Sequence, residues 1–243
     1  FCFHGVFGHV WRPKSPKRVV EEFQWQHETF GVQEFNIWDD NFTLNKKRSR
    51  KICEELIKRK MNIIFQCPNG ISSSTDYDTL KIMKKAGLWL TGIAPETGDP
   101  IVFKRINKGY RLSDVEELIN NCKKLGIFNC LFFIIGLPYE RKETDNLNWE
   151  FIKRTNPDFI EIQIFTPLPK TPILDEFTSL KPEIRRGLHE TGNNKEIRKR
   201  FYQMQIRFFS NPKKIVKLIS TLGINNSFVL FKNEFKSRFN FSN

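Results

Sequence analysis

The sequence predicts an α/β fold built on parallel strands. Five short apolar stretches alternate with amphipathic segments of helical period between residues 15 and 165. Each connection is long enough for a crossover helix, which parallel neighbours require. The near-continuous apolar runs FFIIG and FIEIQIF suit strands covered on both faces. Periodicity alone leaves open whether such a sheet is flat or curled into a barrel.

In order, Ser15 and Pro16 supply an N-cap and first-turn pair ahead of Val19, Val20, Phe23, His27 and Phe30, which share one helical face ended by Gly31. A strand over Glu34–Trp38 runs into Asp39 and Asp40, and a basic helix follows with Ile52, Cys53, Leu56 and Ile57 as its stripe. Next come a strand over Asn62–Gln66, a helix over Asp76–Ala86 with Leu80 and Met83 on its apolar face, and a strand over Trp89–Ala94. The helix Ser113–Leu125 has the clearest stripe in the chain: Val115, Leu118, Ile119, Cys122 and Leu125. A strand over Asn129–Ile135, a helix over Glu143–Arg154 and a strand over Phe159–Phe165 complete the alternation. From about Thr178 the strands stop, and a helical extension rich in Lys, Arg, Asn and Phe is expected over 178–243.

With 243 residues the chain has ample length for a buried core. Its 39% hydrophobic and 14% aromatic content is too rich for a disordered chain, while 28% charged residues and a mean hydropathy of −0.46 point to a water-soluble one. The longest apolar run, Leu131–Leu137, falls far short of the ~20 residues that cross a bilayer. No leader pattern opens the sequence, and five cysteines without a C-x-x-C pair fit a reducing, cytoplasmic setting. The formal charge of +13 invites a polyanion, but it is uneven. Residues 1–177 carry 26 Lys and Arg against 23 Asp and Glu, and residues 178–243 carry 14 against 4. Contact with nucleic acid or a membrane surface is therefore a question about the tail, where Phe228, Phe231, Phe235 and Phe239 recur at helical spacing beside Lys232, Lys236 and Arg238. Packing of that helix against the body of the fold is the favoured expectation.

Parallel α/β folds bind ligands at the carboxyl ends of their strands. Those edges hold Asp39 and Asp40; Cys67, Pro68 and Asn69; Glu96 and Thr97; Gly136 with Glu140; and Thr166 with the PLPKT run. Any one acid there is explained equally well as a helix cap. Five polar edges together fit a ligand with hydroxyl and ammonium groups. Cys53, Cys122 and Cys130 read as core, whereas Cys67 stands at an edge. His4 and His9 read as solvated loop residues, and Arg12 suits a surface ion pair as well as a ligand carboxylate. A metal-dependent hydrolase built on Asp39, Asp40 and Glu96 is the weaker reading, because no histidine stands at these edges.

The segments FCFHG, WRPKSPKRVVEE, WDDNF, APETGDP, FFIIGLPYE and PLPKT, in this order, resemble landmarks of radical S-adenosylmethionine (SAM) enzymes, nearest to the group with an upstream cobalamin-binding domain. The resemblance covers about residues 1–177 and implies a partial (βα)6 TIM-like barrel that here lacks its first strand. Cys2, preceded by Phe1, matches the third cysteine of the family's C-x-x-x-C-x-x-C motif and would be a ligand of a 4Fe-4S cluster. The first strand and the other two cysteines would then lie upstream of residue 1, leaving this stretch inactive by itself. The resemblance further implies that Asp39 and Asp40 meet the SAM amino group, Glu96 the ribose, and Gly136 with Glu140 the adenine. Pro95 and Thr97 beside Glu96, and Lys170 in the last turn, depart from the family pattern. The implied activity is reductive cleavage of SAM to a 5′-deoxyadenosyl radical, with an electron donor such as ferredoxin or flavodoxin, or methyl transfer where a cobalamin domain is attached. A basic α/β nucleic-acid-binding module without catalysis is the alternative; it would bind with a steep salt dependence.

Overall fold

A computed structural model describes residues 10–166, 171, 173–174, 195–217 and 219–220. Cys2, His4, His9, most of the PLPKT turn and the Phe228–Phe239 stripe lie outside the described residues. Helix α1 (Pro16–Phe30) leads to β1 (Glu34–Asn36), then α2 (Lys46–Lys58), β2 (Ile64–Cys67), α3 (Tyr77–Lys85) and β3 (Leu88–Glu96). Helices α4 (Pro100–Ile106) and α5 (Leu112–Lys124), β4 (Phe128–Ile135), α6 (Thr144–Thr155), β5 (Phe159–Ile164) and α7 (Lys195–Phe209) follow.

The five strands form one parallel sheet in the order β1-β2-β3-β4-β5, curled into a half-barrel. Every strand and helix expected from periodicity between residues 15 and 165 is present, and the caps of α1 are those the sequence implies. Ser15 accepts a hydrogen bond from Arg18 N at 3.2 Å, and Gly31 ends α1 with φ +69°. One helix was not anticipated: α4, inserted between β3 and β4, so that two helices rather than one make that crossover.

The convex face of the sheet is fully covered. Asn129, Leu131, Phe133 and Ile135 of β4 are buried, with the Phe133 ring edge-on to Phe151 of α6 at 6.4 Å. Val115, Leu118, Ile119 and Cys122 of α5 join the same core. The expectation of strands covered on both faces is corrected on the other side. Among the described residues Phe128, Cys130 and Phe132 are only half-buried, and Glu161 and Gln163 of β5 are exposed. Among the described residues the concave face is less covered than the convex one.

Helix α7, a different segment of the tail from the Phe228–Phe239 stripe, is part of this core. Ile197, Met204 and Phe208 of α7 are buried against the main apolar cluster. In the short helical turn over 212–217, Lys214 donates to Asn156 Oδ1 at 2.7 Å and Lys217 pairs with the buried Asp158. No described helix is long and apolar enough to cross a membrane.

Candidate functional site

Parallel strands in sequential order bring all five carboxyl ends to one rim, so the polar edge residues of the sequence become neighbours in strand order. At the β1 edge Asp39 and Asp40 are exposed, and among the described residues neither has a hydrogen bond or ion pair. The chain before them is held from the next strand: Ile37 N donates to Gln66 O at 2.9 Å and Asn69 Nδ2 to Trp38 O at 3.0 Å. A lattice of hydroxyls backs this edge. Thr43 Oγ1 accepts from Ser72 N at 2.8 Å and bonds Thr75 Oγ1 at 2.8 Å, tying the loop after β1 to the loop after β2. Cys67, at the β2 edge, is fully buried, and burial pushes its thiol well above the ordinary range, which makes it a core residue rather than a reactive thiol.

Glu96 closes β3 with φ +64°, a left-handed conformation that costs a non-glycine residue about 1 kcal/mol. Its carboxylate is 12% exposed, and Oε1 accepts from Lys108 Nζ at 2.5 Å; among the described residues Oε2 is not engaged. Burial pushes the Glu96 carboxyl up from its usual value, against the pull of the Lys108 ammonium. Lys108 also donates to Ala94 O at 2.7 Å, as does Tyr110 Oη at 2.8 Å, so the α4–α5 loop clamps the end of β3.

The turn beyond Glu96 rests on α6. Asn148 Oδ1 accepts from Thr97 Oγ1 at 2.9 Å and from Gly98 N at 2.5 Å. A Cβ on Gly98 would stand 2.5 Å from Phe151 Cβ, so only glycine lets the turn approach this closely. Asp99 is fully buried; it caps α4 through Ile101 N and accepts from Arg141 and Thr144 in the approach to α6. At the β4 edge Gly136 takes φ +89°, and Glu140 Oε1 accepts from Gly136 N at 2.8 Å and Leu137 N at 3.2 Å. Its Oε2 accepts from Arg200 of α7 at 2.6 Å. The β3 and β4 edges, 40 residues apart in sequence, are thereby joined through the Arg141–Asn148 region.

Of the residues singled out by sequence, Asp39, Asp40, Glu96, Gly136 and Glu140 all stand on this rim. Lys108, Asn148, Asp99, Arg141 and Arg200 were missed. Asp99 had a local signal, since an Asp-Pro pair opens many helices; the partners of the others are set by tertiary structure. Lys46–Lys51 lies at the start of α2, and Arg12 is exposed. A groove between α1 and α2, lined by Lys17, Lys51, Glu54 and Arg59, belongs to the outer helical layer and not to the rim.

A family model described as the radical SAM superfamily matches residues 1–147, more than half the chain, and spans four of the five strand edges. The chain belongs to the radical SAM superfamily. An uncharacterised methyltransferase of Pyrococcus horikoshii is 27% identical over 89% of this radical SAM chain and 50% of its own length. The anaerobic magnesium-protoporphyrin IX monomethyl ester cyclase of Cereibacter sphaeroides is 29% identical over 72% of this chain and 29% of its own. The chain therefore spans half or less of these relatives. In fold it is similar to the radical SAM methyltransferase TsrM of Kitasatospora setae, solved with cobalamin and a [4Fe-4S] cluster. That likeness has a TM-score of 0.61 at 17% identity and covers 68% of this chain and 31% of the other.

The family is one of enzymes, and its cofactors are SAM and a 4Fe-4S cluster. The chemistry of the rim is compatible with SAM, a ligand with ammonium and hydroxyl groups: among the described residues Asp39 and Asp40 carry no ion pair and Oε2 of Glu96 is not engaged. The described residues do not by themselves fit the cluster. Cys53, Cys67, Cys122 and Cys130 are dispersed, burial raises the pKa of each, and no group of three or more His, Cys, Asp or Glu among the described residues is placed to hold a metal.

Proposed function

We propose that this chain is the SAM-binding core of a radical SAM enzyme whose cluster is held by Cys2 together with two cysteines that precede residue 1 in the parent reading frame. The observation that carries the proposal is the coincidence of the family match, over residues 1–147, with a rim of acidic residues at the carboxyl ends of parallel strands, of which Asp39 and Asp40 have no partner among the described residues. Cys2 and the two preceding cysteines would hold the cluster, which would supply an electron for reductive cleavage of SAM, drawn from a reductant such as ferredoxin or flavodoxin.

The residues described here bind and orient. Asp39 and Asp40 hold the ammonium group of SAM, and Glu96, fixed by Lys108 and by its left-handed backbone, receives a ribose hydroxyl through its second oxygen. The Gly136 turn supports the adenine, and its backbone is held by Glu140. Methyl transfer or ring closure is the reaction class that the names of the relatives favour, with cobalamin supplied by an upstream domain in the former case. Substrate would enter over the concave face, past Glu161 and Gln163, which are exposed among the described residues.

The test is anaerobic reconstitution of the parent reading frame with iron and sulfide, followed by reduction in the presence of SAM. The expected result is iron–sulfur absorbance and release of 5′-deoxyadenosine or, with cobalamin, of S-adenosylhomocysteine. A reading frame without C-x-x-x-C upstream of Phe1, or a reconstituted protein that leaves SAM intact, overturns the proposal.

A further inference from the structure

Helix α7 reaches the rim with a single guanidinium. Arg200 Nε donates to Asp145 Oδ2 at 2.6 Å and Nη2 to Asp145 Oδ1 at 2.6 Å, so the fork is seated on the first turn of α6. The same Nη2 donates to Glu140 Oε2 at 2.6 Å. Glu140 is only 8% exposed, and its other oxygen holds the N–H groups of Gly136 and Leu137. One chain of hydrogen bonds thus runs from the tail helix to the backbone of the β4 edge.

The anchor is independent of the contact it serves, because α7 is fixed by Ile197, Met204 and Phe208 in the core. Without Arg200, Glu140 would be a nearly buried carboxylate with no cation beside it, and would turn to water or take up a proton. Turning away withdraws the acceptor from Gly136 N and Leu137 N, and protonation weakens it. Lysine restores a charge but not the planar fork that spans Asp145 and Glu140 together.

We infer that Arg200 is a positioning residue for SAM: acting through Glu140, it fixes the Gly136–Leu137 backbone at the cofactor-facing edge of β4. The inference deepens the function proposed above and rests on it. It also gives part of the basic tail a role that is neither nucleic-acid nor membrane contact.

The test compares Arg200→Gln, Arg200→Lys and Met204→Ala in the reconstituted parent protein. Met204→Ala loosens the same helix through its buried face, one turn after Arg200 and without touching the Arg200 side-chain bonds. SAM affinity is measured by equilibrium binding, alongside thermal stability and the amide exchange rates of Gly136 and Leu137. Arg200→Gln is expected to weaken SAM binding about tenfold, as loss of a partner that orients a binding group does, and to speed exchange at both amides. Arg200→Lys should fall between Gln and wild type. Met204→Ala should lower the melting temperature without moving SAM affinity or those two exchange rates. Unchanged affinity and exchange in Arg200→Gln, or equal weakening of SAM binding in Met204→Ala, overturns the inference. If the wild-type protein binds no SAM, the proposed function fails with it, and the exchange data then decide only whether the clasp exists.

Discussion

Replacing Asp99 with alanine should cost the protein about 3 kcal/mol, although Asp99 touches no ligand in the proposed site. Asp99 Oδ1 accepts from Ile101 N at 2.9 Å and Val102 N at 3.5 Å, and loss of such a cap costs about 1 kcal/mol. Oδ2 accepts from the buried Thr144 hydroxyl at 2.8 Å, whose stranding costs about 1 kcal/mol more. Arg141 Nη2 bridges both oxygens at 2.9 and 2.8 Å, but its side chain is 38% exposed, so water screens the pair and about 1 kcal/mol is the upper end of its share. At roughly 2–4 °C per kcal/mol for a chain of this size, the melting temperature should fall by about 6–12 °C, read by circular dichroism. Asp99→Asn keeps the cap oxygen and the volume, and should lose about a third as much. The pH dependence separates the charge from the cap. Burial pushes the Asp99 carboxyl up, but Thr144, Arg141 and the two N–H groups hold it below the usual aspartate value. Its ionic contribution is thus present above the unfolded-state pKa of about 3.9 and lost as pH falls through the lower folded-state value. The gap between wild type and Asp99→Asn should close in that acid range. An alanine variant within about 0.5 kcal/mol of wild type, or an Asn gap that persists into strong acid, would refute the reasoning.

Gly98→Ala should destabilise by about 1–3 kcal/mol through overpacking against Phe151 Cβ and Leu147 O, 2.5 and 3.0 Å from the added carbon; an unchanged urea midpoint would show that the turn has room. Glu96→Gln tests a raised carboxyl. Because burial lifts Glu96 above its ordinary value, the folded state holds the extra proton, and stability should decline as pH rises from the ordinary glutamate pKa through the raised one. The Gln variant should lack that decline, and identical pH profiles would contradict it. Cys53 and Cys122 are buried, with thiols pushed up to about 12, so both should resist iodoacetamide at pH 8 in the native protein and react on unfolding; rapid native labelling would place them at the surface.

The alternation of strands and crossovers was legible because each helix buries a stripe written at its own period: Val115, Leu118, Ile119 and Cys122 of α5 are each no more than 1% exposed. Helix α4 escaped because seven residues make barely two turns, too few for a period, although Asp99-Pro100 announced its start. In α7 the apolar stripe Ile197, Phe201, Met204 and Phe208 was masked by the density of Lys and Arg around it. The rim carboxylates were found from strand ends, a local feature. What holds them was not. Lys108 stands 12 residues from Glu96, Asn148 stands 50 from Gly98 and Arg200 stands 60 from Glu140, and no pattern along the chain records which cation reaches which acid.

The sequential strand order has a consequence for synthesis. Each strand after β1 pairs with the one made just before it, so the sheet can grow at its newest edge as the chain leaves the ribosome. Arg200, by contrast, emerges 60 residues after Glu140, a delay of roughly 3–12 s at typical elongation rates. During that interval the sheet exists but its β4 rim is unbraced. A nascent chain halted before α7 should therefore be protected from protease over its strands while its Gly136 turn is still loose, and the turn tightens only once Arg200 has emerged.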